Sequence, residues 1–255
     1  MSRTFKRRKP LRSKPQLIFP PKHSGSLFRY FTEQAHADAF LGGRVRFQTP
    51  AYFQSLEDAA RGDEYEGTSK YLPQGGLPIR VLQGGTFVDQ RPFESRVRKP
   101  DEVYVLCTSH KLSADIASQF SATACVEIKD YRELIIRIRR ALRGFAVLAA
   151  SPVEYYDSTE PPNPRWALPD RIATAKLGLP KWKAQEEYRF VFSLTDALGF
   201  QNVTLTIGHQ TRTTVTTEPF DLDLGSLGDI CAICAIPHPD RPMASPHPML
   251  ECKFA

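Results

Sequence analysis

The chain has 255 residues, 41% of them hydrophobic and 24% charged, which suffices for one large domain or two small ones with a sizeable core. No apolar run reaches the ~18 residues of a membrane-spanning helix, and the basic N-terminus is not followed by the apolar core of a signal peptide, so the expected location is the cytoplasm. The net charge of +6 belongs to one end: residues 1–22 hold eight of the 34 Lys and Arg and none of the 28 acids, leaving the rest close to neutral at about −2.

That end, MSRTFKRRKPLRSKPQLIFPPK, carries Pro10, Pro15, Pro20 and Pro21, which oppose regular structure. Residues 1–24 are expected to be a disordered basic tail, and 25–255 a single domain. Such a tail attracts RNA or DNA through phosphate contacts, or simply solubilises the chain. The five cysteines, odd in number and irregular in spacing, fit free thiols in a reducing compartment.

Along the body, LFRYF at 27–31 predicts a strand. Thr32 is placed to cap a helix to about Leu41, stopped by Gly42 and Gly43. RVRFQT at 44–49 predicts a second strand, ended by Pro50. Residues 50–100 show little periodicity and read as loops and short helices. Strands follow at 102–109 and 122–128. The clearest helix is 130–144, with Asp130 and Glu133 in a capping-box pattern, Leu134, Ile135, Ile138 and Leu142 as its stripe and Gly144 as its end. A strand at 145–157 breaks at Pro152, a Pro-rich link spans 160–170, and strands are expected near 202–207 and 229–236. Mostly strands with a few helices, the chain belongs to the α+β class.

Several constellations carry possible chemistry. Cys231 and Cys234 form a C-x-x-C with His238 beyond, but a second pair is missing, and DICAICAI reads as an apolar strand with cysteine as a small hydrophobe. No metal site is expected. Cys107, in YVLCTS, lacks the surroundings of a cysteine nucleophile. Gly75-Gly76 and Gly84-Gly85 do not have phosphate-loop spacing and read as turns. Asp58, Asp63, Glu64 and Glu66 make an acid-rich loop of the kind that holds Mg²⁺ in nucleases, although acid runs are more often solvated.

The segment KWKAQEEYRFVF, 181–192, places adjacent acids at the mouth of an apolar strand, where they repel each other and cost desolvation if buried. Period-two alternation puts Gln185, Glu187 and Arg189 on one face and Glu186, Tyr188 and Phe190 on the other. An exposed strand end would explain this, and so would one carboxylate that does chemistry beside a polar helper. Arg29 is an isolated guanidinium in an apolar strand and calls for an anionic partner, a carboxylate or a ligand's pyrophosphate.

An Arg on the first strand, a Ser or Thr on the second and a (Gln/Glu)-x-Glu late in the chain resemble the mono-ADP-ribosyltransferase fold. More specifically, LFRYF, RFQTPAYFQSLEDAARGDEYEG and WKAQEEYR resemble a bacterial family of unknown function linked to phage defence and toxin–antitoxin modules, which carries a W-x-x-E-x-E-(Trp/Tyr)-R motif. Gln185 stands where that family usually has its first Glu. The resemblance spans roughly residues 25–236 and implies a split β-sheet core with a few peripheral helices. It implies NAD as substrate, with Arg29 on the phosphates and Tyr30 beside it. Thr49 would hold the ribose or support Glu187, Tyr52 or Phe53 would stack on nicotinamide, Glu187 would stabilise the ribosyl cation and Gln185 would orient the acceptor. The implied activity is that of a toxin modifying RNA, DNA or a protein, with an antitoxin as a possible partner. Two alternatives stand beside it: a catalytically inactive binding or sensor module of the same fold, and a metal-dependent nuclease.

Overall fold

The structure, a computed structural model of the chain, describes residues 25–56, 62–82, 84–142, 147–161, 168–208 and 218–237. The basic tail, Asp58, Gly144 and His238 lie outside these. The first elements are β1 (Leu27–Phe31), α1 (Gln34–Leu41), β2 (Arg44–Phe47) and α2 (Pro50–Ser55). Then come β3 (Thr68–Tyr71), β4 (Leu77–Arg80), β5 (Thr86–Asp89), β6 (Phe93–Val97) and β7 (Tyr104–Ser109). The middle of the chain forms α3 (Ala114–Gln119), β8 (Ala124–Ile128), α4 (Tyr131–Ala141), β9 (Val147–Pro152) and β10 (Glu154–Tyr156). The last part forms α5 (Pro169–Ala173), β11 (Ala175–Leu177), α6 (Pro180–Lys183), β12 (Glu187–Ser193), β13 (Val203–Ile207), β14 (Phe220–Asp223) and β15 (Cys231–Cys234). This is a mixed architecture, mostly sheet with a few helices, as expected of an α+β chain. No helix among the described residues is long and apolar enough to cross a membrane.

The main sheet has six strands in the order β15-β8-β1-β7-β12-β9, with antiparallel neighbours throughout. A three-stranded sheet, β13-β6-β3, and three two-stranded pairs complete the described sheets. β12 is buried along its whole length. Its Tyr188, Phe190 and Phe192 enter one apolar cluster with Leu106, Ile128 and the α4 stripe of Leu134, Ile135 and Ile138. Val191 enters a second cluster with Val105, Ile172 and Ala173. A strand buried on both faces reads as a continuous apolar run, which is why FVFS is legible as core. Each fully buried Phe contributes about 1.5–3 kcal/mol.

The structure differs from sequence expectation at identifiable points. α1 starts at Gln34 with Glu33 as N-cap, not Thr32, and Gly42 is its C-cap. Gly43 follows in the left-handed region, where a Cβ would collide with the Gly225 backbone. Residues 50–100 hold four strands rather than loops: β4 and β5 form a local hairpin, β3 pairs with β6, and only β6 also takes a distant partner, β13. The Gly pairs at 75–76 and 84–85 do form turns, all four with positive φ. Asp130 caps α4 by accepting from the Arg132 and Glu133 amides, but the Glu133 carboxylate takes the Arg137 guanidinium instead of closing a capping box. The break between β9 and β10 falls at Val153, directly after Pro152. β11 and β14 have no readable signal in the sequence.

Candidate functional site

β1 and β7 touch in register only at Phe28 and Ser109. Beyond that rung they part, and the sheet opens. The Arg29 guanidinium spans the gap, its Nη1 donating to the Cys107 carbonyl at 2.7 Å. The Phe31 and Phe40 rings lie 5.4 and 5.9 Å from it, within the reach of cation–π attraction. A cavity of about 330 Å³ occupies the opening. Arg29, Tyr30, Tyr52, Phe53, Gln185 and Glu187 all line it.

Glu187 opens β12 on the rung opposite Ser109. The approach to it is unusual. α6 ends at Lys183, and Glu186 adopts a left-handed φ of 43°, a conformation that costs a non-glycine residue about 1–2 kcal/mol. This turn, not strand alternation, brings Gln185 and Glu187 to the same side, because Gln185 precedes the strand. It also resolves the crowding of acids: Glu186 faces solvent while Gln185 and Glu187 are buried. The turn is held by the Ser109 hydroxyl, which donates to the Gln185 carbonyl at 2.7 Å, and by the His110 amide, which donates to the Glu186 carbonyl. The Glu187 amide donates to the Tyr155 hydroxyl at 3.0 Å.

The Glu187 carboxylate is part of a buried network. Arg189, only 1% exposed, donates from Nε and Nη2 to Glu187, each at 3.0 Å. The same guanidinium forks onto Glu66, with Nη2 at 2.9 Å from Oε2, and gives Nη1 to the Ala173 carbonyl at 2.8 Å. Lys176 reaches Glu187 at 3.4 Å and Asp63 at 4.0 Å, and its ammonium lies 4.1 Å from the Trp182 ring centroid. Three carboxylates thus share two cations, so the buried group carries one net negative charge when all are ionised. That excess lies beside the cavity.

Burial alone would raise the Glu187 carboxyl, but Arg189 and Lys176 outweigh it and hold it at about 2. Glu66 goes the other way: burial lifts it above the ordinary glutamate value despite Arg189 and Lys176. The two therefore oppose each other in acid. A depressed folded-state pKa contributes stability that is present above the unfolded value and lost as pH falls through the folded value. For Glu187 this window runs from about pH 5 to about pH 2. Glu66, with its raised value, recovers stability as pH falls and its charge is lost. Glu187→Gln is accordingly expected to flatten the acid limb: the difference in urea midpoint between wild type and variant shrinks from pH 5 to pH 2. A difference that stays constant across this range would show that Glu187 is not held ionised by the network.

The cavity places most of the sequence-predicted residues together. Tyr30 lines it, but its hydroxyl is engaged, donating to the Lys111 carbonyl and accepting from the Ser113 amide, each at 2.8 Å; burial raises this phenol to about 12. Tyr52 and Phe53 form an edge-to-face pair on the wall, with centroids 5.5 Å apart. Thr49 does not line the cavity: it is fully buried, and its hydroxyl accepts the Tyr52 amide as the N-cap of α2. Its side chain acts on the site by fixing the helix that carries Tyr52 and Phe53.

Four further residues, Glu66, Asp63, Lys176 and Cys107, join the site in ways the sequence does not indicate. Glu66 and Asp63 belong to the acid-rich loop, yet both are buried and face Lys176 and Arg189, while Glu64 is exposed. Lys176, a lone cation in an apolar stretch, gives only a faint signal. Cys107 lines the cavity with Glu187; burial, then the Glu187 charge, pushes its thiol up, which opposes the thiolate a cysteine nucleophile needs. Cys231 is buried and Cys234 half-buried. No group of three or more His, Cys, Asp or Glu among the described residues could hold a metal ion. Comparison with protein-family models, curated proteins and solved structures finds no match for this chain.

Proposed function

We propose that this chain is an NAD-dependent mono-ADP-ribosyltransferase, a cytoplasmic toxin of a bacterial defence or toxin–antitoxin system that modifies nucleic acid or protein. The observation that carries the reading is the meeting, in one cavity, of Arg29 from β1 with Gln185 and Glu187 at the start of β12. The parting of β1 from β7 supports a split-sheet core of the ADP-ribosyltransferase kind. A volume of about 330 Å³ lies at the small end of ligand pockets, about 300–1,000 Å³, and suits one half of a dinucleotide with the rest at the open mouth. Arg29 sits where a planar fork would clamp phosphate, and the Tyr52–Phe53 wall offers a face for nicotinamide.

Cleavage of the nicotinamide–ribose bond builds positive charge on the ribose, as glycoside hydrolysis does. Glu187, ionised at any physiological pH, is matched to that charge and to a ribose hydroxyl. Gln185 would orient the acceptor. A neutral amide at this position favours an acceptor other than arginine, and the basic tail favours nucleic acid.

A second reading, a nucleotide-binding module without catalysis, is favoured by one feature: the Glu187 carboxylate is only 6% exposed and engaged by both Arg189 and Lys176. Calorimetric titration of NAD tests the occupant common to both readings. Wild type is expected to bind, and Arg29→Ala to bind about 10- to 100-fold more weakly, the loss of charge-assisted phosphate hydrogen bonds. Absence of NAD binding by the wild type would contradict both.

A further inference from the structure

Cys125 and Cys234 stand directly opposite each other across β8 and β15. Opposed residues of an antiparallel pair have Cα atoms about 4.5–5.5 Å apart, inside the ~4.4–6.8 Å that a disulfide spans. The Cys234 thiol donates to the Cys125 carbonyl oxygen at 3.6 Å, so its sulfur lies against the facing cysteine. Cys125 is fully buried, whereas Cys234 is half-buried on β15, the edge strand of the main sheet. One strand further in, Tyr30 of β1 is the register partner of Cys125 and lines the cavity.

We propose that Cys125 and Cys234 are a reversible thiol–disulfide site that reacts with low-molecular-weight disulfides, with Cys234 attacking first and Cys125 resolving. The pairing with Cys125 lowers the Cys234 thiol, and the same pairing, then burial, raises Cys125. Cys234 therefore gives up its proton first, at the more accessible position. Its thiolate attacks one sulfur of the disulfide RSSR, breaking that S–S bond, releasing RS⁻ and leaving a mixed disulfide on Cys234. Cys125 then loses its proton to solvent and attacks the Cys234 sulfur, releasing the second RS⁻. Two protein thiols are oxidised to one disulfide, RSSR is reduced to two RSH, and the two protons released accompany the two thiolates. Cys231, which stands opposite Ile128 in the register and is pushed up to about 12 by burial, does not compete.

The test is a redox titration of the full chain that does not require NAD. The protein is equilibrated in glutathione buffers of rising disulfide-to-thiol ratio and quenched in acid. Remaining thiols are alkylated, and peptides are mapped by mass without reduction. The expected result is one linked peptide pair, Cys125 with Cys234, whose fraction rises with the ratio and reverses on adding reduced glutathione. The linked form should melt at a higher temperature, because the bridge closes the long loop from Cys125 to Cys234. Cys125→Ser should leave a glutathione adduct stalled on Cys234, and Cys234→Ser should leave neither link nor adduct. The proposal is overturned if wild-type Cys125 and Cys234 stay alkylatable at the most oxidising ratio. A link between any other pair, or a wild-type adduct on Cys234 that never resolves, overturns it equally. The wild-type map stands without the variants, so misfolding of either variant leaves the test intact.

Discussion

Arg189→Ala is expected to destabilise the chain by about 3–5 kcal/mol, the largest single effect in the molecule, measured as a shift of the urea unfolding midpoint. The side chain is 1% exposed, and its guanidinium satisfies two carboxylates and a carbonyl at once. Removing it leaves Glu66 and Glu187 buried with Lys176 as their remaining cation nearby. The energy lost is therefore mainly the uncompensated burial of two acids, not the worth of the pairs themselves. A double variant, Arg189→Met with Glu66→Gln, removes a positive and a negative charge together and is expected to recover part of the loss. Arg189→Ala with a midpoint within experimental error of wild type would mean that the acids are not buried as described.

Glu187→Gln is expected to lower the rate of nicotinamide release from NAD by about 10²–10³-fold, the range seen when one group aimed at transition-state charge is removed. Gln preserves shape and hydrogen-bonding reach, so the fold is kept. What changes is charge: the ribosyl cation forms only in the transition state, and a neutral amide does not answer it. NAD affinity should therefore change little while turnover collapses, the signature of an interaction made in the transition state alone. The network explains why a carboxylate can wait there ionised, since Arg189 and Lys176 outweigh its burial and hold it at about 2. The same contacts set a condition on the transferase reading: Arg189 already bonds both carboxylate oxygens, so a ribose hydroxyl would have to share one of them. A variant that turns over NAD as fast as wild type would favour the binding-module reading.

The local elements are largely legible in the sequence, and the long-range ones are not. β1, β7, β8, α4 and β12 announce themselves through apolar runs and a 3.6-residue stripe, which depend on neighbours in sequence. The strands within 50–100 are short and lack clear alternation; β4–β5 and β3–β6 pair within the segment, and β6 also pairs with the distant β13. At the site, Arg29 is readable as a guanidinium in an apolar strand, and Gln185 and Glu187 through the adjacent acids at the strand mouth and the W-x-x-(Q/E)-x-E-Y-R resemblance. Alternation places Arg189 on the Glu187 face, but nothing points to its partner Glu66, because a buried acid in a loop has the same sequence signature as a solvated one. Thr49, expected as a ligand contact, is a helix cap; a threonine before proline supports either role until the backbone is known. Gln185 and Glu187 do share a side, but the left-handed Glu186 and not the strand period produces it.

The most direct test of the transferase reading is transfer of label to a macromolecule. Purified wild type and Glu187→Gln are incubated with NAD labelled on its adenylate half in total bacterial lysates, from healthy and from phage-infected cells, and the products are divided by RNase, DNase and protease sensitivity. The account predicts label on a macromolecule with the wild type alone, removed by one of the three treatments, which would identify the acceptor class. Macromolecular label absent with the wild type in every lysate, despite NAD binding in the calorimeter, would contradict transfer and leave a nucleotide-binding module.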